Sequence, residues 1–271
     1  MRRPSVAGQF YAGDEKSLRS QIEQCFTGPL GPGSIPKLGR AKREVLGGIA
    51  PHAGYMYSGM VAAHTYARIV EDGMPKTFVF IGPNHTGRGS GIAVTSEDWQ
   101  TPLGVVKVDK ELAKEIRRDL VDEDAEAHRF EHSIEVQLPF LQYFSRDFMF
   151  VPVCMGFQDL ETALSVGKTI ARAVKDKDAV VIASTDMSHY VSPSLAKKKD
   201  NMALDAIKAM DAKALYEVVR DQDISMCGYG PVIATMTACA GGKATLLKYA
   251  NSGDVHPMAQ VVGYASAVIT K

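Results

Sequence analysis

His52, His85 and Cys227 are of residue types that bind borderline or soft transition metals, and each stands in a loop marked by Gly or Pro. His52 lies in Gly48-Ile49-Ala50-Pro51-His52-Ala53-Gly54-Tyr55, His85 in Ile81-Gly82-Pro83-Asn84-His85-Thr86-Gly87, and Cys227 in Met226-Cys227-Gly228-Tyr229-Gly230-Pro231. A histidine just beyond a buried strand is held at a rigid lip where a ligand can be met. Asp186-Met187-Ser188-His189-Tyr190 repeats the pattern after the run Ala179 to Ala183. Its carboxylate can fix an imidazole tautomer, either residue can bind metal, or Asp186 caps the turn after the strand. From the stretch Glu131 to Leu138, His132 or Glu135 can face the site while Ile134 and Leu138 face the core. Cys227 is either a thiolate stabilised by a helix N-terminus and a metal or an inert buried thiol. Tyr55, Tyr57, Trp99 and Tyr190 are candidate pocket walls. His64 reads as structural, His128 as exposed in an acidic stretch and His256 as a rim residue, while Cys25, Cys154 and Cys239 pack in apolar contexts. There is no HExxH spacing for a zincin, and the glycines from 82 to 91 lack the Lys-Ser/Thr ending of a phosphate loop.

These loops need a scaffold. Short apolar runs at Val45 to Ala50, Thr77 to Ile81, Phe148 to Val153 and Ala179 to Ala183 predict buried strands. Shorter strands are expected at 91–95 and 104–108, with a hairpin around Trp99, and two closing strands near 244–249 and 260–268. Asp14, Ser58 and Asp109 are expected to cap helices. Further helices are expected over 131–144 with Pro139 as a kink or first turn, 159–174, 196–219 and 229–240. Residues 28–39, rich in Gly and Pro, read as a surface loop. This alternation predicts an α/β fold, one domain over residues 1–271, with a mainly parallel or mixed sheet and helices on both faces. In such a sheet the loops carrying His52, His85 and His189 open at one edge.

The 271 residues suffice for one large core. Lys+Arg and Asp+Glu are 31 each, so net charge draws the chain to neither nucleic acid nor an anionic membrane. No apolar run approaches the roughly 20 residues of a membrane span. The basic start Met1-Arg2-Arg3 is not followed by the apolar stretch of a signal peptide, so a cytosolic protein is expected, with its four scattered cysteines as free thiols.

Several strings resemble the Memo family (mediator of ErbB2-driven cell motility), including the prokaryotic group called AmmeMemoRadiSam system protein B. They are Ala7-Gly8-Gln9-Phe10-Tyr11, Pro51-His52-Ala53-Gly54-Tyr55-Met56-Tyr57-Ser58-Gly59, Gly82-Pro83-Asn84-His85, Trp99-Gln100-Thr101-Pro102-Leu103-Gly104, Glu131-His132-Ser133-Ile134-Glu135-Val136-Gln137-Leu138-Pro139-Phe140, Ser184-Thr185-Asp186-Met187-Ser188-His189-Tyr190 and Cys227-Gly228-Tyr229-Gly230-Pro231. The resemblance implies a fold similar to class III extradiol (LigB-type) dioxygenases, non-haem Fe(II) enzymes with two His and one Glu as ligands. His52 and His85 then match the histidine ligands, and Cys227 falls where the family has cysteine in place of that glutamate. Asp186 and His189 match further site positions, and His132 sits in a matched motif nearby. A thiolate is softer than a carboxylate, favours copper or zinc, and is oxidisable.

Two functions follow as expectations. In one, His52, His85 and Cys227 bind iron or copper, with zinc as a further candidate, in a redox protein where Asp186, His189 and His132 act on protons. In the other, the same cleft binds a peptide or small molecule without turnover. A cysteine nucleophile at Cys227 is a third reading.

Overall fold

The computed structural model describes residues 1–39, 43–118 and 120–271. Its strands, in chain order, are β1 (Val45–Ala50), β2 (Thr77–Pro83), β3 (Ile92–Val94), β4 (Trp99–Thr101), β5 (Gly104–Val108), β6 (Asp122–Glu123), β7 (Met149–Met155), β8 (Ala179–Ser184), β9 (His189–Val191), β10 (Lys243–Asn251) and β11 (Val261–Thr270). They join one mixed sheet whose main order is β10-β11-β1-β8-β2-β7-β3-β6. The central four, β1, β8, β2 and β7, are mutually parallel. Every residue of β2 is buried, as befits a strand covered on both faces. β11 returns antiparallel between β1 and β10, and β3 lies antiparallel on β7.

Register sets the functional edge. Ala50 stands beside Ser184, Ile81 beside Ala183 and Pro83 beside Met155, so the carboxyl ends of β1, β8, β2 and β7 finish level. Helix Met60–Asp72 covers one face against β1, β10 and β11. Helices Leu160–Val174 and Tyr229–Ala238 pack together on the other, the second lying on β8, β2 and β1. This is the α/β architecture the alternation predicts.

Some local expectations change. Asp14 and Asp109 do cap helices, accepting from the amides of Ser17 and Leu112. Ser58 does not: it lies inside a wide π-turn, Tyr55–Gly59, and its hydroxyl donates to the Ala53 carbonyl. The stretch 131–144 is only partly helical, with a 3-10 turn at Glu135–Gln137 and a short helix at Leu138–Gln142. The Glu131 carboxylate accepts the amides of His132 and Ser133, an alternative to helical pairing. Pro139 then falls in the first helical turn, where no amide is needed. The region 196–219 splits into Pro193–Lys208 and Ala212–Asp221, where Met210 takes a positive φ of 54° and Asp211 caps the second helix. The hairpin at Trp99 forms as β4 and β5. No helix among the described residues is long and apolar enough to cross a membrane.

Candidate metal centre

The strand ends deliver their loops to one cleft. His52 follows β1, His85 follows β2, and Asp186 and His189 follow β8, which lies between them. With His132 they line a cavity of about 550 Å³, whose outer wall is Phe10, Met56, Tyr57, Tyr190 and Val262. The π-turn after Gly54 places Met56 and Tyr57 on this wall. Tyr190 is 73% exposed and holds a left-handed φ of 56°, a conformation that costs a non-glycine residue of order 1–3 kcal/mol.

One ring nitrogen each from His52, His85 and His132 lies within 4.8 Å of the others. The rings of His85 and His132 stack at 4.8 Å between centroids, and His52 meets both edge-on at 5.1 and 5.4 Å. Phe10, brought in by the N-terminal segment, lies 4.7 Å from His132. Cys227 approaches from behind, its Sγ 3.2 Å from His52 Nε2, and it accepts the Asp186 amide at 3.2 Å. This approach requires Gly228: a Cβ there would lie 2.5 Å from the Ser184 carbonyl oxygen.

Glu131 anchors the histidines. Its carboxylate accepts the His85 amide at 2.5 Å and lies 3.0 Å from His85 Nδ1. Burial alone would raise Glu131, but the His85 hydrogen bond and charge, the His132 charge and the Ser133 amide outweigh it and hold the carboxyl down at about 2. An ionised carboxylate only accepts, so His85 Nδ1 carries a hydrogen toward it, as supporting carboxylates do for ligand histidines. Burial opposes protonation of His85, but Glu131 overcomes it and lifts that imidazole above its ordinary value. Burial, then the neighbouring His132 and His85, hold His52 well below the usual imidazole range. Burial also keeps His132 low, against the pull of Glu131.

Asp186 works differently from the tautomer-fixing role open to it. Its Oδ1 accepts the His52 amide at 2.8 Å, holding the His52 loop, while His189 Nδ1 lies 2.7 Å from the Ser225 carbonyl. A carbonyl only accepts, so His189 donates from Nδ1, and in its neutral form the lone pair lies on Nε2. Burial pushes Asp186 up to about 6, against the His52 amide and the His189 charge. The Cys227 thiol is also pushed up, by burial and then by Asp186, rather than lowered as a helix N-terminus alone would do.

Other candidates fall elsewhere. Tyr55 is buried with its hydroxyl on the Val136 carbonyl, and Trp99 is buried beneath the Arg2 guanidinium, so neither lines the cleft. Glu135 faces away from the cleft and binds the N-terminal segment. His128 is buried against Trp99 rather than exposed with its acidic neighbours, and burial drives it down to about 3. His64 bonds the Leu30 carbonyl, and His256 meets Tyr57 edge-on at the rim. The anchoring role of Glu131 had only a weak signal, an acidic residue directly before His132 in an apolar stretch.

Comparison with known proteins identifies the family. The family model for Memo-like protein matches residues 2–268. A MEMO1 family protein of Methanothermobacter thermautotrophicus is 50% identical, the alignment covering 98% of this chain and 99% of that protein. Relatives from Methanopyrus kandleri and Saccharolobus islandicus are 48% and 45% identical, covering 100% and 98% of this chain and 99% and 98% of theirs. Among solved structures, an uncharacterized protein from Escherichia coli K12 shares the fold with a TM-score of 0.51 at 12% identity, covering 80% of this chain and 98% of that one. The chain belongs to the Memo family.

Proposed function

We propose that this cleft holds a redox-active transition metal, iron or copper, on His52, His85 and Cys227, with His132 as the neighbouring imidazole. The observation that carries this reading is the convergence of three imidazole nitrogens within 4.8 Å beside a sulfur 3.2 Å from one of them. The spacing fits. A nitrogen at about 2.1 Å and a sulfur at about 2.3 Å from one ion stand about 3.1 Å apart at a right angle. Neighbouring nitrogens around one ion stand about 3.0–3.4 Å apart, so the imidazoles, held within 4.8 Å of one another, close on the ion as it binds.

A bound iron or copper ion would supply one-electron chemistry and polarise an oxygen ligand. The chain supplies the rest. His85 is oriented by Glu131. Cys227 must lose its proton to bind, so metal uptake releases acid. His189 offers Nε2 as a base at the cleft wall, and Asp186, its pKa pushed up by burial, is a second proton-carrying group on the same wall. Phe10, Met56, Tyr57 and Tyr190 give the cleft an apolar and aromatic outer wall.

Metal content after anaerobic purification and reconstitution tests this directly. Stoichiometric iron or copper in the wild type, lost in His52→Ala, is expected; no metal in either protein refutes it. The apolar outer wall favours a second reading, in which the cleft recognises an organic ligand or peptide without turnover. Cys227→Ser separates the two: it abolishes metal chemistry but leaves simple recognition intact.

A further inference from the structure

Gln137 and Ser184 are fully buried behind His52 and do not line the cleft. Buried polar groups must find partners, and here one arrangement of hydrogens satisfies all of them. Gln137 Nε2 lies 3.0 Å from the Pro51 carbonyl and 2.8 Å from Ser184 Oγ, while its Oε1 lies 2.6 Å from the Tyr66 hydroxyl. The Pro51 carbonyl only accepts, so the amide NH₂ faces Pro51 and Ser184, and Tyr66 donates to the amide oxygen. Ser184 Oγ lies 2.6 Å from the Ser133 carbonyl, which takes its single hydrogen. Toward Gln137 and toward His52 Nδ1, at 2.9 Å, Ser184 is therefore an acceptor. His52 must carry its hydrogen on Nδ1.

We infer that Ser184, oriented by Gln137, is a positioning residue that locks His52 in the Nδ1–H tautomer and turns the Nε2 lone pair toward Cys227 and the cleft. The metal reading proposed above gives this lock its use, but the lock itself can be read in the metal-free protein. The two histidines are thus prepared by different chemistry: His85 by a carboxylate, His52 by a neutral chain that begins at Tyr66. Without an acceptor at Nδ1, His52 is free to place its hydrogen on Nε2 and lose the ligand lone pair.

The test is long-range proton–nitrogen correlation NMR on metal-free protein with ¹⁵N-labelled histidine, with His52→Gln to assign the ring. A hydrogen-bearing Nδ1 and a bare Nε2 are expected in the wild type; a hydrogen on Nε2 overturns the inference, whether or not any variant folds. Ser184→Ala should mix the tautomers and weaken Co(II) or Zn(II) binding about 10–100-fold, with Ser184→Thr restoring both. An unmixed Nδ1–H tautomer in Ser184→Ala also overturns it. A wild type with the expected tautomer that binds no metal would refute the proposed function and leave the lock standing.

Discussion

Replacing Glu135 by Gln should destabilise the fold by about 3–5 kcal/mol. The Glu135 side chain is 0% exposed, and four donors converge on its two oxygens. Arg2 Nη1 lies 2.7 Å away, the Ser5 and Val6 amides at 2.7 and 3.0 Å, and the Tyr11 hydroxyl at 2.6 Å. The Arg2 side chain is only 4% exposed, so solvent does little to screen the pair. Glutamine keeps one accepting oxygen and turns an NH₂ onto donors. Arg2 would retain its bonds to the His128 and Glu131 carbonyls but lose its counter-charge. Breaking a buried pair from one side is the expensive case, whereas replacing both partners by apolar groups is often near neutral. Urea unfolding at neutral pH should therefore show Glu135→Gln losing several kcal/mol with an unchanged m value. Arg2→Met combined with Glu135→Leu should recover only the part of the Glu135→Leu loss that comes from the unpaired guanidinium, because the Ser5 and Val6 amides and the Tyr11 hydroxyl still lack their acceptor. Because this segment carries Phe10 to His132, metal affinity should fall in Glu135→Gln too. A stability loss below about 1 kcal/mol would refute the reasoning, since even one unsatisfied buried donor costs that much.

Three further outcomes are expected. His128 binds its proton near 3 in the fold against 6.5 when free, so below 6.5 the unfolded chain takes up a proton the fold refuses. Stability should thus fall with acid between pH 6.5 and about 3, and His128→Phe should flatten the slope by up to about 1.4 kcal/mol per pH unit, measured by denaturation across that range. Gly228→Ala should destabilise by about 1–3 kcal/mol and lower metal content, because the new methyl meets the Ser184 carbonyl rather than a flexible side chain. Metal at one hundred times its Kd should stabilise the protein by about 2.7 kcal/mol, roughly 5 °C in Tm, an increment removed by a chelator and absent in His85→Ala by thermal scanning.

The strands that end at the cleft were legible because each is a short apolar run, closed by Gly or Pro after β1, β2 and β7 and by Thr185-Asp186 after β8, and their alternation with helices pointed to a mainly parallel or mixed sheet. Placing His52, His85 and His189 on one edge needed nothing more. The supports were not legible. Glu131, Gln137 and Glu135 sit within ten residues of one another, yet Gln137 serves residues near 51 and 184, and Glu135 serves residues 2–11. Periodicity sees only local neighbours, so it read the stretch as a helix with one face toward the site. His128 misled for a related reason: acidic neighbours suggest solvent, but Asp124 spends its carboxylate on the Ser90 amide and Glu126 pairs with Arg88, leaving the imidazole to turn inward.

The position of β11 has a consequence for how the protein is made. β1, which leads to His52, has β8 on one edge and β11 on the other. As the chain leaves the ribosome, β1 must wait for residues 179–184 on one side and 261–270 on the other. Until then its backbone groups stand open to pairing with other chains. Protein synthesised slowly or stalled before residue 261 should therefore be prone to aggregate, and the His52 loop should gain its final shape only after that strand has been translated.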